Sequence, residues 1–595
     1  MTDGIRRALV RAEPGSDRFL VFDDPVEALV TCAPGEVPAL LARAEQAAAR
    51  GLWAVGFVGY EAAPAFDPAL VAHPPAAGPA PLAAFSLFAA PRTREKLSIE
   101  GEAEFGRRAP GLAEPDHAAA IARIREEIAA GETYQVNLVF PFDGSFSGRA
   151  SDLFARLVAP REAPYAALLE GDGWALVSLS PELFFERDGE RVVMRPMKGT
   201  RPRGRFGEED RHLAAELAGS EKERAENLMI VDMVRNDLGR VAAAGSVAVE
   251  ERLAVERYPT VWQMTSTVAA RSAARLPELF AALFPCASVT GAPKPATMRL
   301  IRELESAPRG VYCGAVGCVA PGGRARFAVA IRTLELDLRA GRFRYGVGSG
   351  VTWDSDAIAE WRECLDKARV LDGPPPEFEL VETMRFRPGR GIELLDLHFE
   401  RLAASADFFE FSLSRTETSI EGGVRAEVLG RCAELPPCSH RIRLLLARDG
   451  SVRIEASPFS GDRRAWSVAI AGDPIPSMEV FVFHKTTNRT LYERARESAP
   501  AGVDEVLLVN EHGELTEGTR TNLFVQTRGG EWLTPSREAG LLAGVFRESL
   551  LRAGRVAEAT LRPRDLVRAH RVRLGNALRG WIPVALDSLR RSLAG

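Results

Sequence analysis

Apolar and polar positions already divide this chain into strands and helices. The apolar run "WALVSLSPELFFER" leads up to Asp188-Gly189, and "ERVVMRPM" returns from it. That arrangement predicts a β-hairpin. With a two-residue turn, Glu182 pairs opposite Arg195, and Lys198 lies three positions further on, near the same end. Strict alternation puts Glu182 and Lys198 on opposite faces, unless Pro181 and Pro196 break it. A second hairpin is signalled by "VQTRGGEWLTP", with Gly529-Gly530 as its turn pair. "MEVFVFH" reads as an apolar strand ending just before Lys485. Helical spacing appears in "SEKERAENLMIVDMVRNDL", where Ser220 and Glu223 are placed as a capping box and Leu228, Met229 and Met233 are available for a core. It appears again in "SDAIAEWRECLDKARVL", capped by Ser355 or Asp356.

The clearest boundary is "LDGPPPEFEL". Three consecutive prolines cannot continue a helix and favour an extended linker. Residues 373–376 therefore separate a first domain, 1–372, from a second, 377–595. Both halves mix strands and helices, so the expected class is α+β with two domains; at roughly 150 residues per domain, 595 residues allow several domains or two large ones. A 46% apolar and 26% charged composition suits a globular protein. A net charge of −5 gives no reason to expect nucleic-acid binding. The seven cysteines form no CxxC pair and no zinc set, which suggests reduced thiols in a cytoplasmic setting. Neither a signal-peptide core nor a run of about 20 apolar residues is present, so no membrane association is expected.

Chemistry enters at "MRPMKGTRPRG". Lys198 stands before a Gly-Thr turn with Arg195, Arg201 and Arg203 around it. Crowded cations work against an ammonium, and a free amine is a nucleophile. Glu182 by itself reads as a strand acid paired with Arg195. Glu226 and Glu363 lie in helical stretches, and Glu363 precedes Lys367 by four residues. That spacing fits a surface salt bridge, or two carboxylates brought together for one Mg²⁺. In "YGVGSGVTWDSD", Gly346, Gly348 and Gly350 lead into a helix start, an arrangement that favours an anion.

Eight segments occur in the order found in chorismate-utilising enzymes: "SPELFF", "PMKGTRPRG", "AENLMIVDMVRNDLGRV", "SVTGAPK", "YCGAVG", "AIRT", "YGVGSGV" and "EWRECLDKA". Residues 1–372 resemble that group, which includes anthranilate, isochorismate and salicylate synthases and aminodeoxychorismate synthase component I. The lysine of "PMKGT" is the aminodeoxychorismate synthase form, where anthranilate synthases carry alanine. The resemblance implies that Lys198 attacks C2 of chorismate as the C4 hydroxyl leaves, after which ammonia adds at C4 and expels the lysine. It makes Glu182 the general acid, and Glu226 and Glu363 the Mg²⁺ ligands. Tyr312, Arg332, Lys367 and the amides around Gly348 become carboxylate binders, with Gly199, Thr200 and Thr290 lining the pocket. Gln135 stands where water-adding relatives carry a lysine base, which argues against isochorismate or salicylate synthesis. Gln263 departs from the histidine of anthranilate synthases. No Cys-His-Glu glutaminase triad is visible, so ammonia is expected from a separate glutamine amidotransferase subunit.

In the second half, Lys485 and Glu517 together suggest a pyridoxal 5'-phosphate site, with a lysine for the Schiff base and an acid at the ring nitrogen. Arg401 and the amides of "GVFRESLL" can take the phosphate. This half resembles fold-type IV pyridoxal-phosphate enzymes. "KTTNR" and "GNALRGWIPV" are similar to aminodeoxychorismate lyase, which eliminates pyruvate to leave 4-aminobenzoate. Thr521, Asn522 and Val545 fall where that family contacts the cofactor, and Phe546 replaces a common threonine. The family also implies a homodimer through this half. The alternatives are a branched-chain or D-amino-acid aminotransferase in the second half, or one half kept as an inactive binding scaffold.

Overall fold

A computed structural model of the chain describes residues 4–75, 78–95, 97–158, 163–373, 376–411, 423–461 and 464–585. Two units emerge: Met1–Pro202 with Ala214–Pro375, and Arg203–Leu213 with Pro376–Gly595. Within the proline linker, Pro374 and Pro375 lie outside the described residues. No helix among the described residues is long and apolar enough to cross a membrane.

The first unit is built on two ten-stranded sheets. Their facing surfaces share one core, in which Phe22, Leu169 and Trp174 of one sheet meet Val55, Phe57 and Phe88 of the other. The outer faces are covered by helices. The helix Glu221–Gly239 packs Ile230, Val231, Val234 and Leu238 on one sheet, and Ala357–Ala368 packs Trp361 and Cys364 on the other. Each sheet thus buries both faces, and the strands read as apolar runs such as Trp174–Ser180. Ser220 caps the first helix by accepting from the Glu223 amide, but the Glu223 carboxylate turns to Arg201 and leaves the box half made. Asp356, rather than Ser355, caps the second. Leu228 is exposed, because the buried stripe of its helix runs through Asn227, Ile230, Val231 and Val234.

The predicted hairpin forms with a shifted register. Its strands are Leu183–Asp188 and Arg191–Arg195, so the turn is Gly189-Glu190. Gly189 adopts φ 57°, a conformation that suits glycine. That later turn alone would set Phe184 opposite Arg195, and a bulge between Leu183 and Glu186 brings Leu183 there instead, one short of Glu182. Pro196 ends one strand and a new one, Met197–Pro202, carries Lys198. The alternation that would separate Glu182 from Lys198 is therefore broken.

The glycine segment is also not a loop. Gly346, Gly348 and Gly350 lie within the strand Arg342–Val351, paired residue by residue with Gln135–Ser147. The neighbour on the other side, Thr333–Asp337, pairs only as far as Tyr345. Residues 346–351 therefore present one strand edge to the site.

The second unit has a four-, a three- and a five-stranded sheet. The helices Leu395–Phe408 and Gly423–Ala433 cover the first sheet. Gly529 and Gly530 do form a turn, in the loop between the strands Asn522–Gln526 and Trp532–Pro535. "MEVFVFH" is not a strand. Val480–Val482 is a 3₁₀ turn, capped by the Glu479 carboxylate on the Phe481 amide. Phe206, from the Arg203–Leu213 segment, packs in one cluster with Ile475, Val482, Phe483, Tyr492 and Leu508. Beside it, His484 Nε2 meets the Arg205 carbonyl at 3.1 Å, and Arg205 donates to the Ser477 and Glu538 carbonyls.

Candidate active sites

Lys198 projects from an edge strand of one sheet toward the glycine strand of the other. A Cβ on Gly350 would stand 2.4 Å from Lys198 Nζ and 3.1 Å from Gln135 Nε2, so glycine here makes room for the amine. Gly199 follows with φ 100°. The turn is fastened by Gln263, whose Nε2 donates to the Gly199 carbonyl while its Oε1 accepts from the Thr200 hydroxyl. Gln263 thus has a role that needs no imidazole.

The three arginines do not face the amine as bare charges. Arg195 pairs with Glu256, and Arg201 with Glu223 at 2.8 Å. Arg203 belongs to the second unit, where Asp210 takes it. Lys198 Nζ itself lies 3.2 Å from Glu226 Oε2. Glu182 is 3% exposed and accepts from the Ser288 hydroxyl at 2.6 Å and from the Met197 amide. Burial pushes its carboxyl up to about 7, against the pull of those donors and of Lys198. A carboxyl poised there can give a proton near neutrality and stops doing so as pH rises past about 7.

Glu363 lies on the exposed side of its helix, with Lys367 Nζ at 2.6 Å. Loss of solvent opposes its charge, but Lys367, then Lys198 and Arg332, hold the carboxyl below the usual range. Lys367 also donates to the Gly348 carbonyl at 2.8 Å. In a strand a residue's C=O and N–H point to the same edge, so the Gly348 amide faces this side too. Arg332 is held at φ 51°, a conformation costing on the order of 1–3 kcal/mol. Its guanidinium has no hydrogen bond or ion pair among the described residues. The Tyr312 ring lies over Gly346, where a Cβ would come within 2.3 Å of it. Thr290 is fully buried and gives its hydroxyl to the Cys286 carbonyl. Gln135 is buried with both amide atoms unpartnered among the described residues, a strong reason to expect a polar ligand beside Lys198. Glu226 and Glu363 both act on Lys198, and such a carboxylate pair fits magnesium, which completes its shell with water and substrate oxygens.

Two supporting residues escaped the sequence reading. Ser288 orients Glu182. Asn227, 1% exposed, donates to the Lys198 carbonyl at 2.9 Å and accepts from Ser266 at 2.6 Å. Its signal was present, since an asparagine on the buried stripe of a helix needs partners. We expect Asn227→Ala to lower turnover at this site about tenfold through misplacement of Lys198, with little change in KM. Steady-state kinetics with a thermal-unfolding control measures this.

In the second unit a cavity of about 440 Å³ is lined by Arg401, Lys485, Glu517, Thr521, Asn522 and Val545, among others. That volume suits a small-molecule site. Burial lowers the Lys485 amine to about 8, helped by Arg401. Glu517 is 5% exposed and pushed up to about 7 by burial; it accepts from the Tyr492 hydroxyl at 2.8 Å and the Leu542 amide at 3.0 Å. Arg401 is clamped by Glu382 at 2.8 and 2.6 Å and donates to the Ala543 carbonyl. Burial opposes the charge of Glu382, yet Arg401 and His398 hold its carboxyl down to about 2.

Beside Arg401 the helix Val545–Arg552 begins at Gly544 without a side-chain cap, leaving its first amides for an anion. A Cβ on Gly544 would stand 1.9 Å from Asn522 Oδ1. The Phe546 ring packs with Phe524 and Trp581, so only its backbone is available to a phosphate. The Thr521 hydroxyl is taken by Glu505, and Asn522 donates to the Leu542 carbonyl at 3.0 Å and to Glu517 at 3.3 Å. These residues fit pyridoxal phosphate: a lysine, a buried acid and a phosphate cradle share one cavity.

The two sites define an enzyme with two separate centres, each a lysine accompanied by a buried glutamate. The chain belongs to the chorismate binding enzymes, whose family model matches residues 34–372. Residues 379–586 match the model for class IV amino-transferases. Anthranilate synthase component 1 of Haloarcula marismortui is 42% identical over 253 residues, 42% of this chain and 51% of the relative. Aminodeoxychorismate synthase component 1 of Escherichia coli is 41% identical over 252 residues, 42% of this chain and 55% of the relative. Aminodeoxychorismate synthase of Streptomyces griseus is 44% identical over 277 residues, 45% of this chain and 37% of the relative. The chain thus spans about half the length, or less, of these curated relatives. Among solved structures, anthranilate synthase component I from Streptococcus pneumoniae shares the fold, with a TM-score of 0.53 and 24% identity over 60% of this chain and 92% of that one.

Proposed function

We propose that the chain converts chorismate to 4-aminobenzoate in two steps. The observation that carries this reading is the Lys198 amine, 3.2 Å from Glu226 and near enough to the buried Glu182 to act on its carboxyl, in a chain similar to aminodeoxychorismate synthase component 1. Lys198 attacks C2 of the ring, both ring double bonds shift by one position, and the C4 hydroxyl leaves as water with a proton from Glu182. Ammonia then adds at C4, both double bonds return, and Lys198 departs. Magnesium, held by Glu226 and Glu363, would supply positive charge for a substrate carboxylate. Arg332, Lys367 and the Gly348 amide hold the carboxylates in place, and Gln135 offers a neutral amide where a base would activate water. Gly199, Thr200, Thr290 and Tyr312 shape the pocket.

The product carries an amine and passes to the second site. There pyridoxal phosphate supplies an electron sink. Arg401 with the amides of Val545 and Phe546 holds its phosphate, and Glu517, with Thr521 and Asn522 nearby, holds the ring-nitrogen proton. Lys485 takes the proton from C4 of the substrate and can return one as pyruvate leaves. Ammonia comes from a separate amidotransferase subunit, and the chain pairs through its second unit.

The experiment is direct. Purified protein given chorismate, Mg²⁺, pyridoxal phosphate and ammonium should yield 4-aminobenzoate and pyruvate in equal amounts, followed by chromatography. Glutamine in place of ammonium should yield neither. Anthranilate as product, or transamination of branched-chain amino acids without pyruvate release, would overturn the corresponding half of the reading.

A further inference from the structure

The lining of the second cavity is more cationic than its cofactor requires. Arg401, Arg441, Arg489, Arg520 and Arg579 line it, with Glu517 as the only acid among the lining residues. Most of these arginines are already engaged. Arg401 is held by Glu382, Arg489 donates to the Thr519 carbonyl, and Arg520 donates to the Asp504 carbonyl. The Arg579 guanidinium lies 5.4 Å from the rings of both Phe459 and Trp466. Arg441 has no hydrogen bond or ion pair among the described residues.

Its setting makes that notable. On the neighbouring strand Arg441 sits directly opposite Arg385, and on the other side it faces Ser457. Like charges directly opposite across a sheet are destabilising. Arg385 lies over the Phe459 ring at 5.4 Å, and its buried Nε has no hydrogen-bond partner among the described residues. Ser457, Phe459 and Arg441 all line the cavity. Two adjacent arginines, one free and one with an orphaned donor, form half of an anion site whose other half is absent from the protein.

We propose that Arg441, backed by Arg385, binds the ring carboxylate of a substrate whose amine and carboxylate stand para on a six-membered ring. This deepens the lyase reading above and rests on it. The amine must reach toward Lys485, so a para carboxylate points the opposite way, to the exposed side of the cavity where Arg441 stands. An aliphatic amino acid carries its carboxylate on the same carbon as the amine and cannot reach outward in this way. Arg441 is thus a specificity-determining residue.

The test uses the full-length holoenzyme and two probes, 4-aminobenzoate and its neutral isostere 4-aminobenzamide, titrated by the absorbance change of bound pyridoxal phosphate. Wild-type protein should prefer the carboxylate about tenfold, as one charge-assisted contact would give. Arg441→Ala should abolish the preference and raise KM for aminodeoxychorismate about tenfold with kcat kept, and Arg441→Lys should recover part of both. Arg443→Ala, on the same strand face but paired with Glu455, should change neither. Equal binding of the two probes by wild type, or an unchanged preference in Arg441→Ala, overturns the carboxylate site even if pyruvate is released normally. An equal effect of Arg443→Ala overturns it as well, by showing a bulk charge effect. An Arg441-dependent preference in a protein that releases no pyruvate would instead uphold the subsite and sink the lyase reading.

Discussion

Lys198→Ala will stop the formation of aminodeoxychorismate from chorismate and ammonium, lowering the rate at least about a thousandfold, while pyruvate release from supplied aminodeoxychorismate continues unchanged. The expectation follows from the geometry around one atom. Lys198 Nζ is fixed by Glu226, by its backbone bond to Asn227 and by the space Gly350 leaves for it. Alanine removes the only nucleophile in that position while leaving Glu182, Arg332 and Lys367 in place. Chorismate should therefore still bind, and equilibrium binding of the variant separates lost chemistry from lost affinity. Wild-type protein given chorismate without ammonia should gain the mass of chorismate less water on the peptide bearing Lys198. A variant that keeps most of its amination rate would show that ammonia adds directly and that Lys198 is a spectator.

Lys485→Ala should have a comparable effect at the other centre and a different signature. Chorismate and ammonium should then yield aminodeoxychorismate that accumulates, with neither pyruvate nor 4-aminobenzoate. The burial that lowers the Lys485 amine to about 8 makes it a usable base near neutral pH, and alanine leaves no substitute within the cavity. Borohydride should fix pyridoxal phosphate to wild type and not to the variant. Continued pyruvate release by the variant would remove Lys485 from the mechanism.

Much of both sites was legible because their chemistry sits in short segments. Lys198 with Gly199-Thr200 is one such segment, and Lys485 and Glu517 each lie in a short segment that gains its meaning beside the other. What was misread depended on pairing at a distance. The turn falls one residue later than Asp188-Gly189 suggests and a bulge offsets only part of that shift, so Glu182 drops out of the hairpin register. The Gly346–Gly350 segment looked like an anion loop because glycine suits both turns and close approach. Only the neighbouring strand and the Tyr312 ring decide between them. The three arginines around Lys198 suggested crowded charge, and their carboxylate partners Glu256, Glu223 and Asp210 lie 7 to 61 residues away. Supporting residues such as Ser288, Glu382 and Tyr492 are bland in sequence and acquire meaning from what they touch.

One feature of the fold bears on how such a protein can change over generations. Phe206 fills a cluster with Val482, Phe483 and Tyr492, and Tyr492 holds Glu517. A gene broken at the prolines would encode one product that ends before this cluster is supplied and another that begins without Phe206. Separating the two units would therefore mean repacking the second unit's interior as well as cutting the chain.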